Sequence, residues 1–227
     1  MIQDIHSHTY YSFCGKDEPT TIIERAIEAG IEVFGICDHN YGIGSRIDEY
    51  LQMLNDLKAK YNDKIILYRG IEVATFPKTN FFPSGTDASA FDYALIEHLD
   101  IEDSLFYGDF IGCAKRCNAK RNGIAHTDLF GFLERTGKNA SEFFSSLAGE
   151  GIFWEMNVNY DSIHGWHEHK YVKRFMSDPK QQEIVRKSGI EISVGFDGHR
   201  IEDYCPSRIL KMCEFLKSNG IPIFSIQ

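Results

Sequence analysis

DIHSHTYYS, residues 4–12, places His6 and His8 on one side of an extended segment, because side chains alternate along a strand. The segment follows directly on MIQDI, which reads as a short buried strand, so the two imidazoles stand at a strand's carboxyl end. What that pair is for depends on what the rest of the chain brings to the same place.

Outward from this stretch, short β-rich apolar runs alternate with longer periodic ones. Pro19 and Thr20 open a helix through TTIIERAIEAG, which Gly30 ends. EVFGIC reads as a second strand, followed by a helix across RIDEYLQMLNDLKAKY. IILYRGIEV and DYALIEHL read as the third and fourth strands, and a helix near 105–121 precedes GIAH. The helices SEFFSSLAGEG and PKQQEIVRKSG precede the strands IFWEMNV and IEISVGF. A last helix covers SRILKMCEFLKSN, and IPIFSI is expected as a short terminal strand. No linker, repeat or low-complexity run interrupts this series, so a single domain over residues 1–227 is expected. Strand–helix alternation favours an α/β fold with a parallel sheet, and the number of units suits a closed or nearly closed TIM-barrel-like barrel. An open doubly wound sheet is the alternative. No glycine-rich phosphate loop follows the first strand, which weighs against a dinucleotide site.

The composition narrows the function classes. With 24 Lys+Arg against 33 Asp+Glu, the 227-residue chain carries a net charge of −9. No basic run offers a footprint for long nucleic acid or an anionic membrane. No apolar stretch is long enough to span a bilayer, and no leader pattern opens the sequence, so a cytoplasmic location is expected. The six cysteines, among them Cys14, Cys113 and Cys117, are scattered and read as free thiols. The C-x-x-x-C of Cys113 and Cys117 reads as helix packing rather than as a zinc knuckle.

On parallel α/β folds the chemistry gathers at the carboxyl ends of the strands. Here those ends carry His6 and His8, then Asp38 and His39 in GICDHN, Glu72 in YRGIEV and His98 in LIEHLD. They continue with His126 in IAHTD, Glu155 and Asn157 on the sixth strand, and Asp197 and His199 in VGFDGHR. One strand-end histidine is ordinarily a satisfied polar residue, and Glu72 alone could pair with Arg69. So many imidazoles and carboxylates on one rim would be a costly desolvated cluster unless something bound them together. Divalent metal does so, and mixed imidazole and carboxylate donors suit zinc, iron or manganese.

These motifs carry a family resemblance. DIHSH resembles the D-x-H-x-H opening of the PHP (polymerase and histidinol phosphatase) family, and CDHN, GIE, EHLD, AHTD and GFDGHR resemble its later motifs in order. The resemblance implies a distorted (β/α)7 barrel with two or three divalent ions, Zn, Mn or Fe, at the strand carboxyl rim. It implies that His6, His8, Glu72 and Asp197 hold one ion. Glu72 would bridge to a second ion completed by His98 and His126, with His39 and His199 on a third. Where family members often supply a further histidine, this chain has Cys14, so the thiolate, Asp17 or Glu18 would have to complete the third site, or that ion is weakly held or absent.

Paired metals clamp the oxygens of an in-line displacement and activate a water between them. The resemblance therefore implies a metal-dependent phosphoesterase acting on a small phosphorylated substrate, with histidinol phosphate as the leading candidate. A phosphatase or nuclease acting on nucleotides or short oligonucleotides is the alternative, and a non-catalytic metal-holding domain is a third reading. Arg200, next to His199, is the first candidate to meet the phosphate, followed by Arg69, Arg121 and Lys120. Asp38 is a candidate to orient His39 or carry a proton. His164, His167 and His169, in DSIHGWHEHKY, fall in a loop after the sixth strand. With Trp166, Tyr160 and TNFFPSG (79–85) they are expected to line the mouth, His167 being the candidate substrate contact.

Overall fold

The computed structural model describes residues 1–79 and 88–226. In chain order the elements are β1 (Gln3–Asp4), α1 (Pro19–Glu28), β2 (Val33–Ile36), α2 (Asn40–Ile43), α3 (Ile47–Lys60), β3 (Ile66–Ala74), β4 (Tyr93–Glu97) and α4 (Phe110–Cys117). They continue as β5 (Asn122–Ile124), α5 (Leu129–Thr136), α6 (Ala140–Gly149), β6 (Phe153–Asn157), α7 (Lys170–Ser177), α8 (Pro179–Ser188), β7 (Ile192–Gly195) and α9 (Pro206–Ser218). Local chemistry sets the ends. Pro19 occupies the first turn of α1, while Asp109, Asp128, Asn139 and Asp178 cap α4, α5, α6 and α8 by accepting backbone N–H bonds. The helix expected over 105–121 is shorter because Asp109 starts it and Asn118, at φ 56°, stops it.

Each strand pairs in parallel with the next, in the order β1 to β7. The sheet then nearly closes on itself. Ile5 N donates to Val194 O at 3.0 Å, His8 N to Gly198 O at 2.8 Å, and Gly198 N to His6 O at 3.2 Å. An open doubly wound sheet would not bring its first and last strands together in this way. The seam is narrow because β1 is only two residues long. The result is a distorted seven-stranded barrel.

One apolar layer lies between the strands and the surrounding helices, and a second fills the lumen. The lumen is built around Tyr93, whose hydroxyl donates to Ile5 O at 2.5 Å. Gly35 and Gly70 make room for that side chain, since a Cβ at Gly35 would stand 2.2 Å from its hydroxyl and one at Gly70 2.3 Å from its ring. The base of the lumen is closed from below by the C-terminal segment. IPIFSI does not form a strand, and only the bridge between Ile192 and Ile223 remains. Pro222 has no N–H to extend a ladder. Instead Phe224 turns in and stacks on Phe153 at 3.9 Å, while its carbonyl accepts from Gln3 Nε2 at 2.7 Å. No helix among the described residues is long and apolar enough to cross a membrane.

Candidate metal centre

The open end of the barrel holds the strand-end side chains. β1 runs out through His6 and His8, whose Nε2 atoms lie 3.2 Å apart. β3 brings Glu72 between them, with Oε1 3.3 Å from His6 Nε2 and Oε2 3.4 Å from His8 Nε2. Beyond β7, Asp197 Oδ1 stands 3.5 Å from His6 Nε2 and 3.0 Å from His8 Nε2. Ligand atoms about 2.0–2.1 Å from a tetrahedral ion stand about 3.3 Å from one another. The spacing of these four residues therefore fits a common cation.

Glu72 is almost fully buried, and each of its oxygens also meets a further imidazole. His126 Nε2 lies 3.0 Å from Oε1, and His39 Nδ1 lies 2.8 Å from Oε2. His39 Nδ1 and Glu72 Oε2, although that close, make no aligned hydrogen bond, and the buried Nδ1 atoms of His98 and His199 have no hydrogen-bond partner either. Lone pairs that crowd together without pairing are what donors to a shared ion look like before the ion is counted. Cys14 joins His8 and His39 in a second possible ligand set. Burial alone would raise the Cys14 thiol, but hydrogen bonds from His199 and His39 outweigh it and bring the thiol down to about 5. A thiol in that state is a competent metal ligand.

Glu97 belongs to this cluster and was not singled out in the sequence. Its carboxylate lies 3.6 Å from His39 Nδ1, 3.7 Å from His126 Nε2 and 3.2 Å from His98 Nδ1. Burial, reinforced by the neighbouring Glu72 carboxylate, pushes Glu97 up to about 8. Glu97 and His98 are consecutive, so strand alternation would send them to opposite faces. His98 has φ 67°, a left-handed backbone that turns its ring back to the same side. Asp197, at φ 56°, is held in the same region. Such strain in non-glycine residues collects at functional sites.

A surrounding layer fixes the rings. Glu155 on β6 places Oε1 2.8 Å from His6 Nδ1 and accepts from His126 N at 2.8 Å through Oε2. Burial opposes charge on His6, but Glu155 and Glu72 outweigh it and hold the imidazole well above its ordinary range. Asp161, a second residue not singled out in the sequence, lies 2.8 Å from His164 Nδ1 and 3.4 Å from His199 Nδ1.

Asp38 takes a different place from the expected one. Its Oδ1 accepts from Thr9 N at 2.7 Å and Ser12 Oγ at 2.6 Å, and its Oδ2 accepts from Thr9 Oγ1 at 2.7 Å. It braces the 9–12 loop from below instead of touching the His39 ring, and it reaches the centre only through Ser12 Oγ, 3.2 Å from His8 Nδ1.

The candidate phosphate-binding cations do not converge. Arg200 turns into a small neighbouring cavity with Ile22, Phe34 and Tyr204, because its backbone leads away into the turn at Ile201–Asp203. Arg69 is clamped by Asp92 at 2.8 Å, and Lys120 by the same carboxylate at 3.0 Å, at the amino end of β4. Arg121 binds Ser225 O beneath the barrel. His167 is exposed, and His164 and His169 line the cavity in its place. TNFFPSG falls largely on residues outside those described. The metal cavity, about 430 Å³, is lined by imidazoles, carboxylates, Tyr41 and Phe76, and among the described residues no lysine or arginine lines it. Tyr41 stacks on His39 at 4.6 Å and Phe76 on His98 at 4.4 Å, each covering one face of an outer imidazole.

The sequence signature of the PHP domain matches residues 4–200. The fold is similar to that of a histidinol phosphate phosphatase from Lactococcus lactis subsp. lactis, a structure complexed with zinc, L-histidinol and phosphate. The TM-score is 0.62 at 19% identity, over 99% of this chain and 95% of that one. A structure assigned as a histidinol phosphatase from Listeria monocytogenes gives a TM-score of 0.49 at 14% identity, over 88% of this chain and 96% of that one. No curated protein matches the sequence significantly.

Proposed function

The chain belongs to the PHP domain family, and from that premise we propose that it is a metal-dependent phosphomonoesterase acting on a small substrate. One observation carries the reading: the buried Glu72 carboxylate, with His6 and His126 on one oxygen and His8 and His39 on the other. Four imidazoles around one buried carboxylate suit a ligand that neighbouring cations would share.

In this reading His6, His8, Glu72 and Asp197 hold one ion, and Glu72, His98 and His126 a second, with Glu97 beside them. His39, His199 and Cys14 hold a third. Divalent zinc, manganese or iron bound there would lower the pKa of a bound water toward about 7 and offset charge on the phosphoryl oxygens. The chain's own residues do the rest. Glu155 fixes the His6 ring, Asp38 braces the loop that carries Ser12, and Tyr41 and Phe76 each cover one face of an outer imidazole. Since no lysine or arginine lines the cavity among the described residues, an incoming phosphate would be met by bound ions and by the rings of His164 and His169.

The cavity suits a small ester rather than a polymer, in keeping with the acidic net charge. Histidinol phosphate leads the substrates to be tried, and nucleotides follow. The test is turnover of a panel of histidinol phosphate, sugar phosphates and nucleotides by metal-replete protein, with elemental analysis alongside. Phosphate release with two or three ions bound is expected. Bound ions without release from any ester would favour the metal-holding domain. Failure to retain more than one ion after replenishment would overturn the centre itself.

A further inference from the structure

A second cavity, about 340 Å³, opens beside the metal cavity where β6 ends, between α7 and α9. The two share a wall, because His169 lines both. On its other side the His169 ring lies parallel to that of His126, 8° off at 6.1 Å. Asn157 forms part of the second cavity, and its Nδ2 lies 3.4 Å from Asp197 Oδ2. One side chain therefore separates this space from the candidate metal ligands.

Its lining is chemically distinct from the metal cavity. Val172, Met176 and Met212 give it apolar surface, and Lys173, Arg208 and Lys211 supply three cations against the single carboxylate of Glu168. Glu168 is already engaged twice, by Arg208 at 2.5 Å and by Lys173. Arg208 is held in place by a bond from Nε to Val158 O at 2.8 Å. Lys211 forms no ion pair with any of the described residues. The balance is positive in a chain whose net charge is −9, and these cations stand beside a cavity that has none among the described residues.

We propose that this cavity is a subsite for a second anionic group, a carboxylate or a phosphate, carried by the leaving group of the ester hydrolysed at the metal centre. The proposal rests on the phosphomonoesterase reading and adds the charge of the substrate's far end. The ester phosphate stays with the ions, the leaving group passes His169 across apolar surface, and its terminal anion meets Lys211, Lys173 and Arg208. A leaving group that carries an ammonium at that end, as histidinol can, gains nothing there. Placed cations choose among substrates by the repulsion they impose as much as by the attraction they offer.

The experiment compares alkyl phosphates of graded chain length, ending in a hydroxyl, a carboxylate, a second phosphate or an amine, on metal-loaded protein. At one chain length kcat/KM for an anionic terminus should exceed that for the hydroxyl by about tenfold, chiefly through KM. The carboxylate and phosphate series identify which anion is preferred. In Lys211→Glu the preference should turn toward the amine, and in Lys173→Met it should shrink. Each variant is judged by the ratio between termini on one preparation, so a general loss of activity does not imitate the effect. Equal turnover of all termini at every length, or an anion preference that survives Lys211→Glu, overturns this proposal alone. No turnover of any series while histidinol phosphate, a sugar phosphate or a nucleotide is hydrolysed overturns this proposal alone, and no turnover of those esters either overturns the phosphomonoesterase reading with it.

Discussion

Glu72 joins four imidazoles, so its substitution is the sharpest test at the scale of the residue. Glu72→Gln keeps the shape and removes the charge that offsets two dications. Activity should fall by at least about 10³-fold, or about 4 kcal/mol of barrier, with an unchanged circular dichroism spectrum. Activity retained at full metal load would remove Glu72 from the bridging position. Glu155→Leu acts one step out, taking away the acceptor that holds His6 Nδ1. Metal affinity should drop by about 10–100-fold, read by competition with a chromogenic chelator. The convergence of His6, His8, Glu72, His126 and Asp197 was legible because period-two alternation at strand ends decides which side chains share a rim. Glu97 was not legible for the same reason, since alternation assigns it away from His98 until the left-handed backbone at His98 reverses the assignment. Arg200 failed differently. Adjacency to His199 says nothing about direction once the chain leaves the strand.

At the scale of the element, the strands were readable from their buried β-rich runs, and so were the long amphipathic helices α1, α3 and α9. The helices α5 and α7 were not. LFGFLERT contains a glycine and two phenylalanines, and KYVKRFMS follows a histidine-rich loop with no strong start signal, so tertiary packing rather than propensity makes them helical. Because α7 went unread, the basic cavity between α7 and α9 was invisible in the sequence. Interactions that tie elements together are testable too. Asp92 joins Arg69 of β3, Lys58 of α3 and Lys120 before β5. Burial opposes ionisation of Asp92, but these cations outweigh it and hold the carboxyl well below the usual range. The folded state therefore binds its proton less readily than the unfolded chain. The stabilisation is complete above the unfolded carboxyl pKa of about 4 and fades as the pH falls below it. Asp92→Asn should cost about 2 kcal/mol at neutral pH, a gap that narrows in urea titrations as the buffer is acidified below about pH 4. A constant gap would assign the loss to packing.

For the whole molecule, the barrel is a shell with different closures at its two ends. At the open end, imidazoles and carboxylates are buried together, and bound ions are the expected means of stabilising that burial. Chelation should lower the calorimetric unfolding midpoint, and an ion at a thousandfold excess over its Kd should restore about 4 kcal/mol. A midpoint indifferent to chelator would argue that the cluster is stable without metal. At the other end the Phe224 ring fills the lumen against Phe153. Phe224→Ala should cost about 3–5 kcal/mol by leaving a cavity there, measurable in denaturant, with only secondary effects on catalysis at the far rim. That closure also has a consequence for folding. Gln3 pairs with Phe224 across 221 positions of sequence, and Ile5 with Val194. Until the segment that carries β7 docks, β1 has only β2 beside it. A sheet in that state is an open ribbon whose free edge is prone to pairing with other chains, so closing this seam is the step at which aggregation competes with folding.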